Sequence, residues 1–182
     1  MKNALLVCDH VPKHLQKEHG TYPEMFRNLF KLPMNEFYVC DGEFPSLDDY
    51  DAFICTGSGY SVYDEVSWIL ELQEFTRKSY QAGGKFIGVC FGHQLIAESV
   101  GGKVERLDAG FLIGIHTFEM IRQYNWMEPF EQEYNALMFC QDQVVKLPEM
   151  GEVLAKSPLC PVGAFRVSEH FLDCIIHKSD FT

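Results

Sequence analysis

Short apolar runs punctuate the chain, each closed by a polar or glycine-containing stretch. Residues 4–8 (ALLVC), 51–55 (DAFIC) and 85–89 (KFIGV) are almost continuously apolar. That pattern belongs to strands buried on both faces of a parallel sheet. Residues 36–40 read as a further strand. Between them the period changes. Met25, Phe26, Leu29 and Phe30 share one face of a helix over residues 22–30, with Thr21 as its cap. Trp68, Ile69, Leu72 and Phe75 form the stripe of a helix from about 65 to 80, ended by Gly83-Gly84. Residues 94–98 read as a helix directly after the strand at 85–89. This alternation predicts a doubly wound, mostly parallel α/β sheet. After Gly101-Gly102 the character shifts to short strands at 103–106, 111–118, 137–140, 152–155, 162–167 and 171–176. They suit a small antiparallel β region beside the main sheet. Residues 125–135, acidic and aromatic around Pro129, read as a helical loop or a lid.

Composition narrows the class. A chain of 182 residues, 47% hydrophobic, has enough apolar material for one domain spanning 1–182. A net charge of -11 with no basic stripe excludes nucleic-acid and anionic-membrane binding. The seven cysteines (8, 40, 55, 90, 140, 160, 174) lack any Cys-x-x-Cys pair, and most sit inside apolar runs. That is the usage of buried thiols in a reducing compartment. No leader-like start and no run of membrane-spanning length is present, so a soluble, cytoplasmic protein is expected. His10, His14 and His19 raise the question of a metal, but no cysteine or carboxylate lies at a recognised ligand spacing. No metal or cofactor is assigned.

The chemistry concentrates at Gly88-Val89-Cys90-Phe91-Gly92. A cysteine between two glycines, at the junction of a buried strand and a helix, is the thiol version of the nucleophile elbow. The glycines permit a tight turn, and the middle residue is expected in a strained backbone conformation. At a helix N-terminus the dipole favours the thiolate. The plain alternative is a buried structural cysteine with helix-packing glycines. Thr56-Gly57-Ser58-Gly59 follows the strand at 51–55 but has neither the P-loop lysine nor dinucleotide glycine spacing. A nucleophilic thiol that attacks a carbonyl needs a base from elsewhere and donors for an oxyanion. An elbow places one donor on the backbone of Phe91. His93 should point along the helix away from the thiol and is read as structural. His177 ends the apolar run at 171–176.

The string from 84 to 101 resembles the nucleophile segment of class I (triad-type) glutamine amidotransferases, with further likeness at 56–64 and 142–158. The resemblance implies a flavodoxin-like fold with Cys90 as nucleophile, Gly57 and Phe91 as oxyanion donors beside Ser58, and Gln94 holding a glutamine-like substrate. It implies His177 as the base, where the family carries His-Pro-Glu. Here Lys178, Ser179 and Asp180 follow instead, so Ser179 stands where the orienting carboxylate belongs. Asp180, one position later, serves only if the loop bends, since a one-residue shift in extended chain reverses side-chain direction. Cys140 replaces a histidine common among relatives. Only five residues follow His177, so the family's closing C-terminal helix is expected to be absent.

The resemblance implies a small-molecule substrate, glutamine or a γ-glutamyl compound, cleaved through a Cys90 thioester, as in GMP-synthase-like or γ-glutamyl peptidase-like members. It implies a separate ammonia-accepting synthetase as a partner where ammonia is used. Two readings stand beside it: a catalytically weakened relative that binds a ligand or partner, and a redox-sensing thiol protein.

Overall fold

The computed structural model describes residues 1–108 and 110–169, and the backbone of 171–174. Its centre is a nine-stranded sheet in the order β2-β1-β3-β4-β11-β10-β9-β6-β7. β1 (Asn3–Leu6), β2 (Met34–Phe37), β3 (Ala52–Cys55), β4 (Lys85–Gly88) and β11 (Phe171–Cys174) run parallel to one another. β10 (Cys160–Arg166) pairs antiparallel with β11, and β9 (Glu152–Ser157), β6 (Leu112–Met120) and β7 (Glu133–Cys140) continue the sheet antiparallel. The antiparallel region is thus larger than expected and continuous with the parallel half. β5 (Lys103–Arg106) and β8 (Asp142–Lys146) form a separate two-stranded ribbon.

The continuous apolar runs follow from cover on both faces. Ala4, Leu6 and Cys8 share a core with Phe53, Cys55 and Phe86 beneath α3 (Ser67–Gln81) and α4 (Phe91–Ser99), which contribute Trp68, Ile69, Leu72, Leu95 and Ile96. Leu5, Val7 and Ile54 face the other way, onto Phe26 of α2 (Tyr22–Phe30). Successive side chains point to opposite faces of a strand, so both parities must be apolar here. The antiparallel half has its own core of Phe118, Ala136, Met138, Leu154, Ala155, Cys160 and Ala164.

Thr21 caps α2 as expected. Its hydroxyl accepts from the Glu24 amide while the Glu24 carboxylate accepts from the Thr21 amide, a reciprocal capping box. Several readings are corrected. The strand expected at 36–40 starts and ends earlier: β2 is Met34–Phe37, and Val39–Asp41 is a 3-10 turn closed by Gly42 at φ 86. The histidine-bearing stretch forms α1 (Lys13–His19), a helix with no buried residue and hence no apolar period to reveal it. The 125–135 stretch is irregular up to β7 rather than helical. Tyr124 stacks on Trp126 there, and the Arg166 guanidinium lies 3.7 Å from the Tyr124 ring centre. Among the described residues no helix is long and apolar enough to cross a membrane.

Candidate active site

β4 delivers the chain into α4 through Cys90, whose backbone has φ 57 and ψ -104. Among the described residues only Lys31 and Cys90 are non-glycine residues at positive φ, and Lys31 is the C-cap of α2. A side chain in this conformation stores about 1–3 kcal/mol of strain, which the packing around it must hold. The two flanking glycines explain how. A Cβ on Gly88 would lie 2.3 Å from the Gly92 carbonyl oxygen, and one on Gly92 would lie 2.8 Å from the Cys55 carbonyl oxygen. The first turn of α4 therefore presses directly on β4 and β3, and no side chain fits between them. Cys90 occupies the N-cap position of α4, where the helix dipole favours a negative sulfur.

Gly57, just past β3, stands against this thiol. A Cβ on Gly57 would lie 3.5 Å from Cys90 Cβ and 3.9 Å from Cys90 Sγ. The Phe91 amide is the first of α4, where a helix start supplies no carbonyl one turn back. The two backbone segments expected to serve an oxyanion thus flank the sulfur. The Ser58 hydroxyl accepts a 3.2 Å bond from the Tyr60 amide, stiffening the same loop. Asp9 holds the loop from outside, its carboxylate accepting from the Gly59 amide at 2.8 Å and from the His10 amide at 2.7 Å.

Gln94, one turn beyond Cys90, is buried and donates from Nε2 to the Asp142 backbone carbonyl at 2.8 Å. It ties the elbow helix to β8. The Asp142 carboxylate is buried too. It accepts from Ser61 Oγ at 2.5 Å and Tyr63 OH at 2.7 Å, with Arg106 Nε 3.8 Å away. Reading the sequence does not reveal this cluster as a unit. Ser61, Tyr63 and Asp142 each fall in family-like stretches, but 79 residues separate Tyr63 from Asp142. His93 is buried with its ring edge-on to Phe165 at 5.1 Å, in keeping with a packing role.

Two further residues bear on the thiol. The Tyr22 phenol, at the start of α2, is pushed up to about 12 by burial and then by electrostatic interaction with Asp9, Cys90 and Cys8. It remains a hydrogen-bond donor across the working pH range. Burial likewise pushes the Cys140 thiol up to about 12, with Cys90 the next largest cause, then Cys160 and Asp142. Cys140 is therefore a neutral thiol at ordinary pH. Tyr22 carries no signal in the sequence beyond a helical apolar face.

His177, Ser179 and Asp180 lie outside the described residues. The strand leading to them is described: β11 runs parallel to β4 with Asp173 level with Gly88, so the two strands end at the same edge of the sheet. For metals, the described residues bring together one mixed donor set, His10, Cys40 and Asp41. Spacing along the chain does not reveal it.

Residues 34–166 match the family described as glutamine amidotransferase class-I. This chain belongs to that family. Gamma-glutamyl peptidase 3 of Arabidopsis thaliana is 32% identical, the match covering 94% of this chain and 72% of the relative. The glutamine-hydrolyzing GMP synthase of Porphyromonas gingivalis is 31% identical over 63% of this chain and 22% of its own length. Both relatives are enzymes by name. The crystal structure of a glutamine amidotransferase from Thermotoga maritima superposes with a TM-score of 0.79 at 18% identity, covering 97% of this chain and 75% of that one. The fold is accordingly that of class I glutamine amidotransferases, with the antiparallel strands extending the flavodoxin-like sheet.

Proposed function

We propose that this chain is a cysteine-dependent amidohydrolase that cleaves the γ-amide of glutamine or of a γ-glutamyl compound. The observation that supports this most directly is Cys90 at positive φ on the elbow, with Gly57 placed so that a Cβ there would come within 3.5 Å of the Cys90 side chain. The thiolate attacks the γ-carbonyl carbon, and the oxyanion that forms is held by the amides of Gly57 and Phe91. Such a donor contributes about 3–4 kcal/mol to the transition state. His177 passes a proton to the departing nitrogen, which leaves as ammonia or an amine. Water then attacks the γ-glutamyl thioester, restoring the thiol and releasing the γ-carboxylate. Asp180 is the residue assigned to orient His177, in place of the carboxylate that Ser179 replaces.

The buried Asp142 carboxylate supports recognition of a cationic group, as the α-ammonium of a glutamyl substrate would be. It already carries two hydroxyl donors, and Gln94 links its strand to the nucleophile's helix. The two relatives suggest two fates for the leaving group. A peptidase-like member releases the amine of a γ-glutamyl peptide. A synthase-like member hands ammonia to a synthetase, which for this chain would be a separate partner.

Release of ammonia from glutamine, and of amine from γ-glutamyl peptides, tests the reading. It predicts loss of both activities in Cys90→Ala and His177→Ala, and full retention in either variant would sink it. The replacement of the usual residues by Ser179 and Cys140 favours a second reading, a weakened relative that binds without turnover. Stoichiometric labelling of Cys90 by a glutamine-mimicking diazo-ketone counts against that alternative.

A further inference from the structure

His10, Cys40 and Asp41 place a ring nitrogen, a sulfur and a carboxylate oxygen all within 4.8 Å of one another. The fold assembles them from separate segments. β1 and β2 are parallel neighbours, and their continuations stay paired: the Val7 amide donates to the Phe37 carbonyl at 2.8 Å, and the Cys40 amide to the Val7 carbonyl at 3.4 Å. The 3-10 turn at Val39–Asp41 then brings two consecutive side chains to the segment that follows β1. The His10 ring is oriented on both sides. It stacks on Tyr38 with centroids 5.2 Å apart at 12°, and its Nε2 lies 2.9 Å from Asp41 Oδ2.

We propose that this cluster is a binding site for a thiophilic divalent cation of the zinc class, ligated by His10 Nε2, Cys40 Sγ and the Asp41 carboxylate. A thiolate with an imidazole selects zinc-like ions over magnesium or calcium, which prefer all-oxygen shells. Bond lengths of about 2.0–2.3 Å put neighbouring ligands of a tetrahedral ion roughly 3.3–3.8 Å apart, so modest rotation of these side chains closes the shell. Water takes the fourth position. Binding exchanges the Cys40 S–H bond for an S–metal bond and releases the proton to solvent. The resulting thiolate and the Asp41 carboxylate together balance the cation's charge, in a chain of net charge -11. A simple His10–Asp41 ion pair would account for two of the three groups but gives the adjacent thiol no part.

The position gives the site a consequence. Asp9 accepts from the amide of the ligand His10 and from that of Gly59, so the metal-bearing segment is tied to the loop that carries Gly57. The site itself does not depend on thioester chemistry at Cys90.

Cobalt(II) titration of the full chain carrying Cys90→Ala tests the proposal without the elbow thiol. The expected result is a near-ultraviolet thiolate-to-cobalt charge-transfer band that saturates at one equivalent and is displaced by zinc. Cys40→Ser should lose the band. His10→Ala and Asp41→Asn, changes at exposed side chains, should weaken cobalt binding by at least about tenfold with the circular dichroism unchanged. Absence of the band in the parent chain overturns the proposal. So does its persistence in Cys40→Ser, or cobalt affinity unchanged in both His10→Ala and Asp41→Asn.

Discussion

Gly57 lies beside Cys90 with just enough space between them for a methyl group to make ordinary van der Waals contact. A Cβ at position 57 would stand 3.5 Å from Cys90 Cβ and 3.9 Å from its sulfur. Gly57→Ala should therefore fold with nearly unchanged stability, while the methyl occupies space beside the sulfur that a substrate carbonyl would need. Turnover should fall by about 10²–10³, as for loss of one oxyanion donor. Steady-state kinetics alongside urea unfolding separates the two effects. A stable variant with full activity would remove Gly57 from the oxyanion site.

Gly92→Ala should act in the opposite way. Its Cβ would meet the Cys55 carbonyl oxygen at 2.8 Å and the Cys55 side chain at 3.0 Å, both rigid neighbours. Overpacking of this kind costs about 1–3 kcal/mol, against about 1 kcal/mol gained in helix propensity. A net loss of stability in urea unfolding is expected, with activity falling as the elbow is forced open.

Cys140 and Cys40 give the protein an alkaline weakness. Both thiols are pushed up from 9.0 to about 12, chiefly by burial. Between pH 9 and 12 the unfolded chain ionises these thiols while the folded chain retains their protons. The folded state thus binds more protons, and stability falls as pH rises through that window. Below pH 9 neither thiol contributes a pH dependence. Cys140→Ser should flatten the decline in unfolding free energy above pH 9 relative to the parent. An identical slope in the two proteins would show that Cys140 is not shielded.

Asp142→Asn replaces one acceptor oxygen with a donor in front of Ser61 Oγ and Tyr63 OH. Loss of a hydrogen bond to a buried charge costs about 1.5–3 kcal/mol, which thermal unfolding should register. If the carboxylate also recognises a substrate ammonium group, KM should rise more than kcat falls. Tyr63→Phe removes one donor without touching the charge, so it should destabilise the fold less and leave KM nearly unchanged.

The parts legible in the sequence share a property: their causes are local. The runs at β1, β3 and β4 are apolar at every position because both sheet faces are covered, and α2 and α3 carry stripes of helical period. The elbow is legible for a similar reason, since two glycines around a cysteine between a strand and a helix describe a tight turn within five residues, although what excludes a Cβ at Gly92 is Cys55 on β3. Elements without such a period leave no comparable trace. α1 buries nothing, and β8 alternates too little over its five residues to stand out. The 3-10 turn at Val39–Asp41 reads as strand in the sequence because its apolar residues continue those of β2.

What the sequence alone determined was the fold class, the place of Cys90 on the strand-to-helix elbow and the segments next to it. What lies across from that thiol was decided by tertiary structure. Gly57, at the end of β3, lies beside Cys90 because β3 and β4 are parallel neighbours whose carboxyl ends run level. The same holds for Asp142 with Ser61, and for His10 with Cys40 and Asp41. Periodicity records which face of an element is buried, whereas strand order and register set what that face meets.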